Sequence, residues 1–370
     1  MKRLVFILVI LAVIAAGVVE WGMAAWDGPG MPAADRKQTV ILIAPGLRTH
    51  AAAQMLEAKG VVKSGLMFEA NLRLRRMADK IKAGEYAIPS GTSMAGIAGI
   101  LVDGKSIQHK FTAAEGLTSE MIWKLVQADA VLTGDAGAVP QEGSLLPETY
   151  LFTRGETRAH LLGTMALAQK TFLDQQWSKR ADGLPFRTMD EAVILASIVE
   201  KETALPEERR HIASVFVNRL KIGMRLQTDP TVIYGLTRGY PLGRGIRQSE
   251  LEGATPYNTY VIAGLPPGPI CNPGKDSIAA VLAPLKSDDL FFVATGHGGH
   301  AFAASISEQA RNVAAYRAFE RQSERQNQAA PQGRRVEANG WPENTTVTVL
   351  DPSPPKLPPV AHGKSTVRHR

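Results

Sequence analysis

The sequence is poor in cysteine: Cys271 is the only one among 370 residues. A single cysteine cannot form an intramolecular disulfide, so the sequence neither requires nor excludes an oxidising compartment. Cys271 lies in the segment Pro-Ile-Cys-Asn-Pro-Gly, which supplies no adjacent base to activate the thiol. We therefore interpret it as a small apolar filler and not as a nucleophile.

The sequence also lacks a recognisable metal-binding motif. It contains no H-E-x-x-H pattern and no cysteine pair. Residues 296–300 (GHGGH) hold two histidines but no third ligand at an identifiable spacing. We interpret this segment as a tight turn between two strands, with His300 just before the strand at Ala301 and Phe302 and able to face a cleft. No metal is expected.

A basic face of the kind that binds nucleic acid is missing as well. The net charge is +7, but Lys2 and Arg3 contribute two of these charges. Residues 323–370 add three more, because they hold seven Lys and Arg against four Asp and Glu. The middle of the chain is therefore close to neutral, and no nucleic-acid partner is expected.

The two ends differ in composition from the rest. Residues 4–19 are uncharged and follow Lys2 and Arg3, which predicts a single-pass inner-membrane anchor over residues 1–26, with a cytoplasmic stub and interfacial tryptophans up to Trp26. A cleavable signal peptide is the alternative, and either exports the remaining chain to the periplasm. Residues 27–38 resemble a linker, and the proline-rich residues 323–370 are predicted to be disordered.

The chain between the ends has the pattern of an α+β protein in two units. We predict a first unit at residues 39–106 and a second at residues 107–322, since helices and strands do not alternate as in a parallel βαβ series. Helices are expected at 49–59, 66–81, 115–128, 157–176, 189–203 and 207–221. A further helix is expected to end at Val102, with Thr92 or Ser93 as its N-cap. Strands are expected at 39–44, 82–88, 108–113, 260–263 and 290–294.

Two acidic residues stand at the end of the predicted helix 189–203. Leu195, Ile198, Val199 and Glu202 fall at helical spacing on one face, so Glu202 continues an apolar stripe. Glu200 lies about 200° away around the helix. A carboxyl group at the edge of an apolar face loses hydration, which raises its pKa and suits it to general-acid chemistry. The alternative is a pair of solvated surface acids.

A polar loop and an aromatic segment follow this helix. Gln227, Thr228 and Asp229 offer amide, hydroxyl and carboxylate groups that can bind the polar groups of a ligand. Asp229 precedes Pro230 and has a structural alternative as a turn or helix cap. A second set adds aromatic faces with polar edges, although aromatic residues are more often part of a core: Tyr257, Asn258, Thr259 and Tyr260.

Six segments carry a resemblance to a known family. They are ASIVEKET (196–203), SVFVNRL (214–220), IGMRLQTDPTVIYG (222–235), TPYNTY (255–260), GLPPGPICNPG (264–274) and FFVATGHGGHAF (291–302). In this order and at these separations, the chain resembles the YceG-like (MltG) family of endolytic lytic transglycosylases over roughly residues 39–320. The resemblance implies that Glu202 is the catalytic acid, with Glu200 as the fallback.

The same resemblance extends to two further regions. EGSLLPETY (142–150) is similar to a family motif that often has Asp where this chain has Glu148, so Glu148 is a possible supporting residue. Residues 39–106 resemble a LysM-like subdomain, a module type that grips N-acetylglucosamine polymers. The alternative for that unit is a structural spacer.

The resemblance implies a reaction on peptidoglycan glycan strands. Glu202 would protonate the oxygen between N-acetylmuramic acid and N-acetylglucosamine and then remove the proton of the muramic C6 hydroxyl, leaving a 1,6-anhydro end. No cofactor is needed, and peptidoglycan synthases are the expected protein partners. Two alternatives remain: a muramidase-type hydrolase that uses Asp229 or Glu148 as the second carboxylate, and a glycan-binding scaffold without catalytic activity.

Overall fold

The computed structural model of the chain describes residues 10, 13, 17, 20–35 and 37–329, with side-chain burial described up to residue 325. The chain divides into two compact units. Unit 1 comprises residues 1–113, 123–138 and 149–164, and unit 2 comprises residues 114–122, 139–148 and 165–370. The helix-rich composition with small antiparallel sheets agrees with the predicted α+β class.

Unit 1 begins with a two-stranded sheet and the helices that cover it. The elements follow in the order β1 (Gln38–Ile43), α1 (Thr49–Ala58), α2 (Gly65–Leu74), a 3₁₀ helix (Ala78–Lys80), β2 (Gly84–Pro89) and α3 (Met94–Asp103). β1 and β2 pair antiparallel, with Gln38 opposite Pro89. The predicted N-cap Ser93 is confirmed, since its hydroxyl accepts a hydrogen bond from the Gly96 amide at 3.1 Å.

The helix predicted at 66–81 is shorter than expected. α2 ends at Leu74 because Arg76 takes a left-handed conformation with φ of 56°. The Met77 amide then donates to the Leu72 carbonyl at 2.8 Å, which closes the helix.

A second small sheet follows in unit 1. β3 (Gln108–Thr112) pairs antiparallel with β4 (Thr149–Thr153). Both strands are assigned to unit 1, although the sequence suggested that the second unit starts at residue 107. The strand pairing explains the difference, because a ladder of main-chain hydrogen bonds joins β3 to β4, so the two strands stay together in one unit.

Residues 27–38, predicted as a free linker, instead pack onto unit 1. The Gly30 amide donates to the Gly91 carbonyl, and the Gly91 amide donates to the Met31 carbonyl, each at 3.0 Å. The Ala33 amide donates to the Ser90 hydroxyl at 2.9 Å. These bonds fix the segment against the turn that follows β2.

Trp26, predicted to lie in a membrane-interface belt, is also part of unit 1. Its side chain is 3% exposed, and its ring stacks on Phe68 at a centroid distance of 6.0 Å. The Arg75 guanidinium lies 5.0 Å from the same ring. The predicted anchor otherwise lies mostly outside the described residues. Among those that are described, no helix has both the length and the apolar character needed to cross a membrane.

The remaining elements include the helices and strands that carry the candidate site. They are α4 (Ser119–Ala128), α5 (Arg158–Trp177), α6 (Met189–Glu202), α7 (Pro206–Lys221), α8 (Asp229–Thr237), α9 (Gln248–Leu251), α10 (Lys275–Leu282), β5 (Phe291–Ala294), β6 (His300–Ala303) and α11 (Ile306–Ala329). β5 and β6 pair antiparallel around the turn at 296–299. Helix α11 continues past residue 323, where the disordered tail was predicted to begin; residues 330–370 lie outside the described part.

The core of unit 2 is built around α6. Its side chains pack with those of α7 and α10 into one apolar cluster that includes Leu195, Ile198, Phe216, Ile278 and Phe292. Burial of such side chains is the main favourable contribution to folding. This cluster holds the C-terminal half of α6, which ends at Glu202.

No strand forms at residues 260–263, where one was predicted. The Val261 and Ile262 amides both donate to the Asn258 carbonyl at 3.0 Å, which makes this segment a turn. The strand preference of the β-branched residues Val261 and Ile262 is weaker than these local hydrogen bonds, so a turn forms instead.

Candidate active site

Helix α6 presents the two acids of the ASIVEKET segment. It starts with a capping box, in which the Glu191 amide donates to the Thr188 hydroxyl and the Thr188 amide donates to the Glu191 carboxylate. The predicted apolar stripe is buried, and Glu202 at its end is 2% exposed. The Glu200 side chain is only 6% exposed. Both acids are therefore buried, and their partners distinguish them.

Glu202 is bonded to the polar loop that follows α7. The Thr228 hydroxyl donates a hydrogen bond to Glu202 Oε1. Thr228 is fully buried, so this bond forms away from bulk water, where it is stronger. The preceding residue, Gln227, has a φ of 51°, a conformation that is uncommon outside glycine and often found at functional sites.

Three buried threonines hold this loop in place. The Thr228 amide donates to the Thr259 hydroxyl at 3.0 Å, and the Thr231 hydroxyl donates to the Thr228 carbonyl at 2.7 Å. The hydroxyls of Thr231 and Thr259 are 2.8 Å apart. Thr259, predicted to bind substrate, is fully buried and positions Thr228. Thr231 was not singled out from the sequence.

Asp229 and Tyr260 form a second pair beside Glu202. The Tyr260 hydroxyl donates to Asp229 Oδ1 at 2.6 Å. Burial raises the pKa of Asp229, and the hydrogen bond from Tyr260 opposes that effect. Burial also raises the pKa of Tyr260, and the negative charges of Asp229 and Glu202 add to the increase. Tyr260 is therefore a neutral hydrogen-bond donor at neutral pH. Asp229 also begins α8, as its position before Pro230 predicted.

A buried arginine that the sequence interpretation missed lies in the same region. Arg219 on α7 is fully buried and donates to the main-chain carbonyls of Leu290 at 2.6 Å and Leu226 at 2.7 Å. Burial lowers its pKa to about 10, while the negative charge of Glu202 acts in the opposite direction. The sequence did hold a signal for it: an arginine within the apolar helical segment SVFVNRL indicates a buried guanidinium, and such a group needs hydrogen-bond partners because its burial is otherwise costly.

Two predicted sugar-binding residues make mainly structural contacts. The Asn258 side-chain amide donates to the carbonyls of Glu250, Leu251 and Gly253, and its carbonyl accepts from the Tyr260 amide. These bonds satisfy the whole amide group. The Tyr257 ring packs 4.8 Å from the Tyr234 ring and belongs to the edge of the core.

Glu200 faces a different set of partners. Its Oε2 accepts a hydrogen bond from the Gly274 amide at 2.8 Å, and its Oε1 lies 3.8 Å from Arg209 Nη2. Arg209 also lies 3.6 Å from Glu115 and 3.3 Å from Asp276. The predicted divergence of Glu200 and Glu202 is visible in these contacts: one acid meets a charged cluster and the other meets the Thr228 loop.

Glu148 and His300 contact other residues than the Glu202 loop. Glu148 pairs with the Lys275 ammonium group. The His300 ring and amide both bond to the Glu208 carboxylate, at 2.7 and 2.8 Å, and the ring packs edge-on against Phe292. Within the described residues, no group of three or more His, Cys, Asp or Glu is placed to hold a metal ion.

The arrangement suits proton transfer by one carboxyl group. Glu202 sits in a low-dielectric site with a hydroxyl donor on one oxygen, and neutral Tyr260 and cationic Arg219 lie in its surroundings. Such a carboxyl can donate a proton and take one back if its site is held rigid. The buried threonines and the packed end of α6 provide that rigidity.

Comparisons with known proteins identify a family and several relatives of this chain. A model of the YceG-like family matches residues 41–315. An endolytic murein transglycosylase of Bacillus subtilis is 37% identical over 170 residues, which is 46% of each chain. One from Streptococcus pneumoniae (strain D39) is 29% identical over 328 residues, covering 75% of this chain and 58% of that protein. The chain thus spans about half the length of the curated relatives it matches.

A solved structure is also similar. A crystal structure of a YceG-like protein from Listeria monocytogenes is 27% identical in sequence and superposes with a TM-score of 0.47. The match covers 75% of this chain and 99% of the other.

Proposed function

The chain belongs to the YceG-like family, and we propose that it is an endolytic murein transglycosylase with Glu202 as its acid and base. The observation that carries the proposal is the contact between Glu202 and Thr228: it joins the buried end of α6 to a polar loop with a left-handed residue. The similarity to relatives named endolytic murein transglycosylases supports the choice of substrate.

The proposed reaction uses one carboxyl group twice. Protonated Glu202 gives its proton to the oxygen between N-acetylmuramic acid and N-acetylglucosamine, and the bond from the muramic C1 to that oxygen breaks. The resulting carboxylate takes the proton of the muramic C6 hydroxyl, and O6 closes onto C1. Glu202 ends as it began, and no water enters the product.

The surrounding residues have distinct parts in this proposal. Thr228 orients the carboxyl and donates to it when it is ionised. Gln227 is partly exposed at the turn of the loop, and we assign it to the sugar hydroxyl and acetamido groups. Tyr260, a neutral donor, hydrogen-bonds to the Asp229 carboxyl and holds it in place.

Analysis of the products tests this assignment. Purified cell-wall glycan is digested with the protein and the fragments are analysed by mass spectrometry. We expect every new muramic end to be a 1,6-anhydro ring, which is lighter than a reducing end by one water. Reducing ends would show hydrolysis instead and would make Asp229 and Glu148 the next residues to change. Intact strands that remain bound would show a scaffold.

We propose that the segment before Trp26 anchors the protein in the inner membrane, with residues 26–370 in the periplasm, because Trp26 is packed in unit 1. The uncharged run at 4–19 after Lys2 and Arg3 supports the anchor and its orientation. Membrane fractionation of the full chain with a C-terminal tag tests it. Recovery of a shortened chain in the soluble fraction would indicate a cleaved signal peptide.

We also propose that residues 39–106 act as a LysM-like glycan-binding module and that peptidoglycan synthases are partners. The strand, two helices and strand of residues 38–89 support the first point, and an anchor at the membrane where strands are made supports the second. The glycan-binding role is tested by measuring how the Glu202→Gln protein binds uncleaved glycan, with and without changes in residues 39–106.

The partnership with peptidoglycan synthases is tested by cross-linking in membranes followed by co-purification with this protein.

A further inference from the structure

Arg219 is the largest side chain in the protein that is fully buried among the described residues. Its Nε donates to the Leu290 carbonyl at 2.6 Å, next to β5, and its Nη1 donates to the Leu226 carbonyl at 2.7 Å and the Arg225 carbonyl at 3.4 Å. Its Nη2 has no hydrogen-bond partner within the described part of the chain. Burying a cation whose hydrogen bonds go mainly to neutral carbonyls costs folding free energy, which indicates that Arg219 has a role beyond stabilising the fold.

The contacts of Arg219 fix the loop that reaches Glu202. The guanidinium binds the carbonyls of Arg225 and Leu226, and the next residue, Gln227, takes its left-handed conformation. The residue after that, Thr228, donates to Glu202. The Met224 amide also donates to the Arg219 carbonyl at 2.8 Å. Both the side chain and the main chain of Arg219 therefore hold the start of the loop.

The charge of Arg219 acts on the same site. The negative charge of Glu202 favours the protonated form of Arg219, and attraction between charges is reciprocal, so Arg219 favours the carboxylate form of Glu202. The other titratable groups that act on this pair are Tyr260 and, through its bond to Tyr260, Asp229. Glu200 and Arg209 pair with each other in a separate cluster.

We propose that Arg219 is a positioning residue for the reaction, which holds the 224–228 loop and stabilises the Glu202 carboxylate that forms when the proton leaves. The inference rests on the proposed role of Glu202. In the first step the proton passes from Glu202 to the glycosidic oxygen, and the carboxylate left behind is attracted by the buried guanidinium. In the second step that carboxylate takes the C6 hydroxyl proton, and Glu202 becomes a neutral carboxyl again.

The test compares the pH profiles of kcat/KM for two substitutions of Arg219. Arg219→Gln removes the charge, and Arg219→Lys keeps it while losing part of the fork of donors. The alkaline limb reports loss of the Glu202 proton. Without the cation that loss is harder, so we expect the limb of Arg219→Gln to move up by about one pH unit and the rate at its maximum to fall by roughly tenfold or more. Arg219→Lys should keep the limb of the wild type.

Arg209→Gln is the matched control, because it removes a buried arginine from the same helix without touching the Thr228 loop. Its alkaline limb should stay in place. If Arg219→Gln loses rate but its limb does not move, Arg219 has only a structural role and the inference is wrong. Loss of activity in Glu202→Gln alongside that result leaves the proposed function intact, whereas an active Glu202→Gln protein overturns both.

A second measurement applies if Arg219→Gln is too unstable to assay. Removing one member of a buried charge pair leaves the other uncompensated, so adding Glu202→Gln should restore part of the lost stability. We expect a higher Tm for the double variant than for Arg219→Gln alone. A double variant that is no more stable than the single one contradicts the charge coupling.

Discussion

The Thr228 hydroxyl donates a hydrogen bond to Oε1 of Glu202, and both residues are buried. The two residues are 26 positions apart in the sequence, on the end of α6 and at the start of α8. Thr228 is held in turn by Thr231 and Thr259 through hydroxyl and main-chain bonds. The Glu202 carboxyl is thus held by a preorganised chain of hydroxyl groups.

Replacing Thr228 tests this dependence. Thr228→Val keeps the shape of the side chain but removes the donor, so we expect turnover to fall by roughly tenfold to a hundredfold, because hydrogen bonds to charged groups contribute about 1.5–3 kcal/mol. Thr228→Ser keeps the hydroxyl and should retain most of the rate. Steady-state kinetics on purified glycan strands give both values. Equal rates for Val and Ser would show that the bond has no part in catalysis.

The two acids of α6 are expected to differ in their effects. Glu202→Gln cannot give up a proton, so we expect a loss of roughly 10²- to 10⁴-fold in turnover with little change in Tm. Glu200→Gln can still accept the Gly274 amide bond and should keep activity within about tenfold of the wild type. Both variants are assayed on the same glycan preparation. Equal losses at the two positions would contradict the assignment of Glu202.

Helix α6 and the burial of Glu202 could be predicted because both depend on local spacing. Apolar residues at helical intervals define the stripe, and Glu202 falls on it. The cap at Ser93 and the start of α8 at Asp229 likewise follow from residue preferences within one turn.

The partners of Glu202 could not be predicted in the same way. Its bond to Thr228 and the position of Arg219 both result from packing between segments far apart in the chain. The failed strand at 260–263 has a related cause: the Asn258 side chain and carbonyl organise a turn that outweighs the β-branched residues after it. Asn258 itself was expected to bind sugar, but the sequence could not show how many main-chain groups it would meet.

The pair of Glu208 and His300 predicts a pH dependence of stability. Burial is the largest influence on Glu208 and disfavours its charge, but the side-chain and main-chain hydrogen bonds from His300 outweigh it and lower the pKa below the ordinary 4.5. A carboxyl with a lower pKa in the folded state stabilises the fold above pH 4.5. That contribution is lost as the pH falls through the folded-state value.

The measurement is the free energy of unfolding of the wild type and Glu208→Gln at several pH values. We expect a difference of about 1–2 kcal/mol near neutral pH, which shrinks as the pH falls below 4.5. Glu207→Gln, at the exposed neighbouring position, is the control and should change stability by less than about 0.5 kcal/mol. A difference that is constant across this pH range would contradict the coupling.

Gly30 provides a test of whether residues 27–38 are docked or free. A side chain at this position would place its Cβ 1.8 Å from the Thr92 carbonyl oxygen, and main-chain atoms cannot move aside as a flexible side chain can. Gly30→Ala should therefore displace the segment and break the bond between the Gly30 amide and the Gly91 carbonyl. We expect a loss of about 1–3 kcal/mol in the stability of unit 1, as for other overpacked sites. Gly245→Ala is the control, since nothing lies within 4 Å of its added Cβ.

Hydrogen exchange of the Gly91 amide, which donates to the Met31 carbonyl, shows whether residues 27–38 are docked or free. Faster exchange in Gly30→Ala, but not in Gly245→Ala, means that the segment is part of the fold. Equal exchange and equal Tm in the two variants mean that the segment is a free tether.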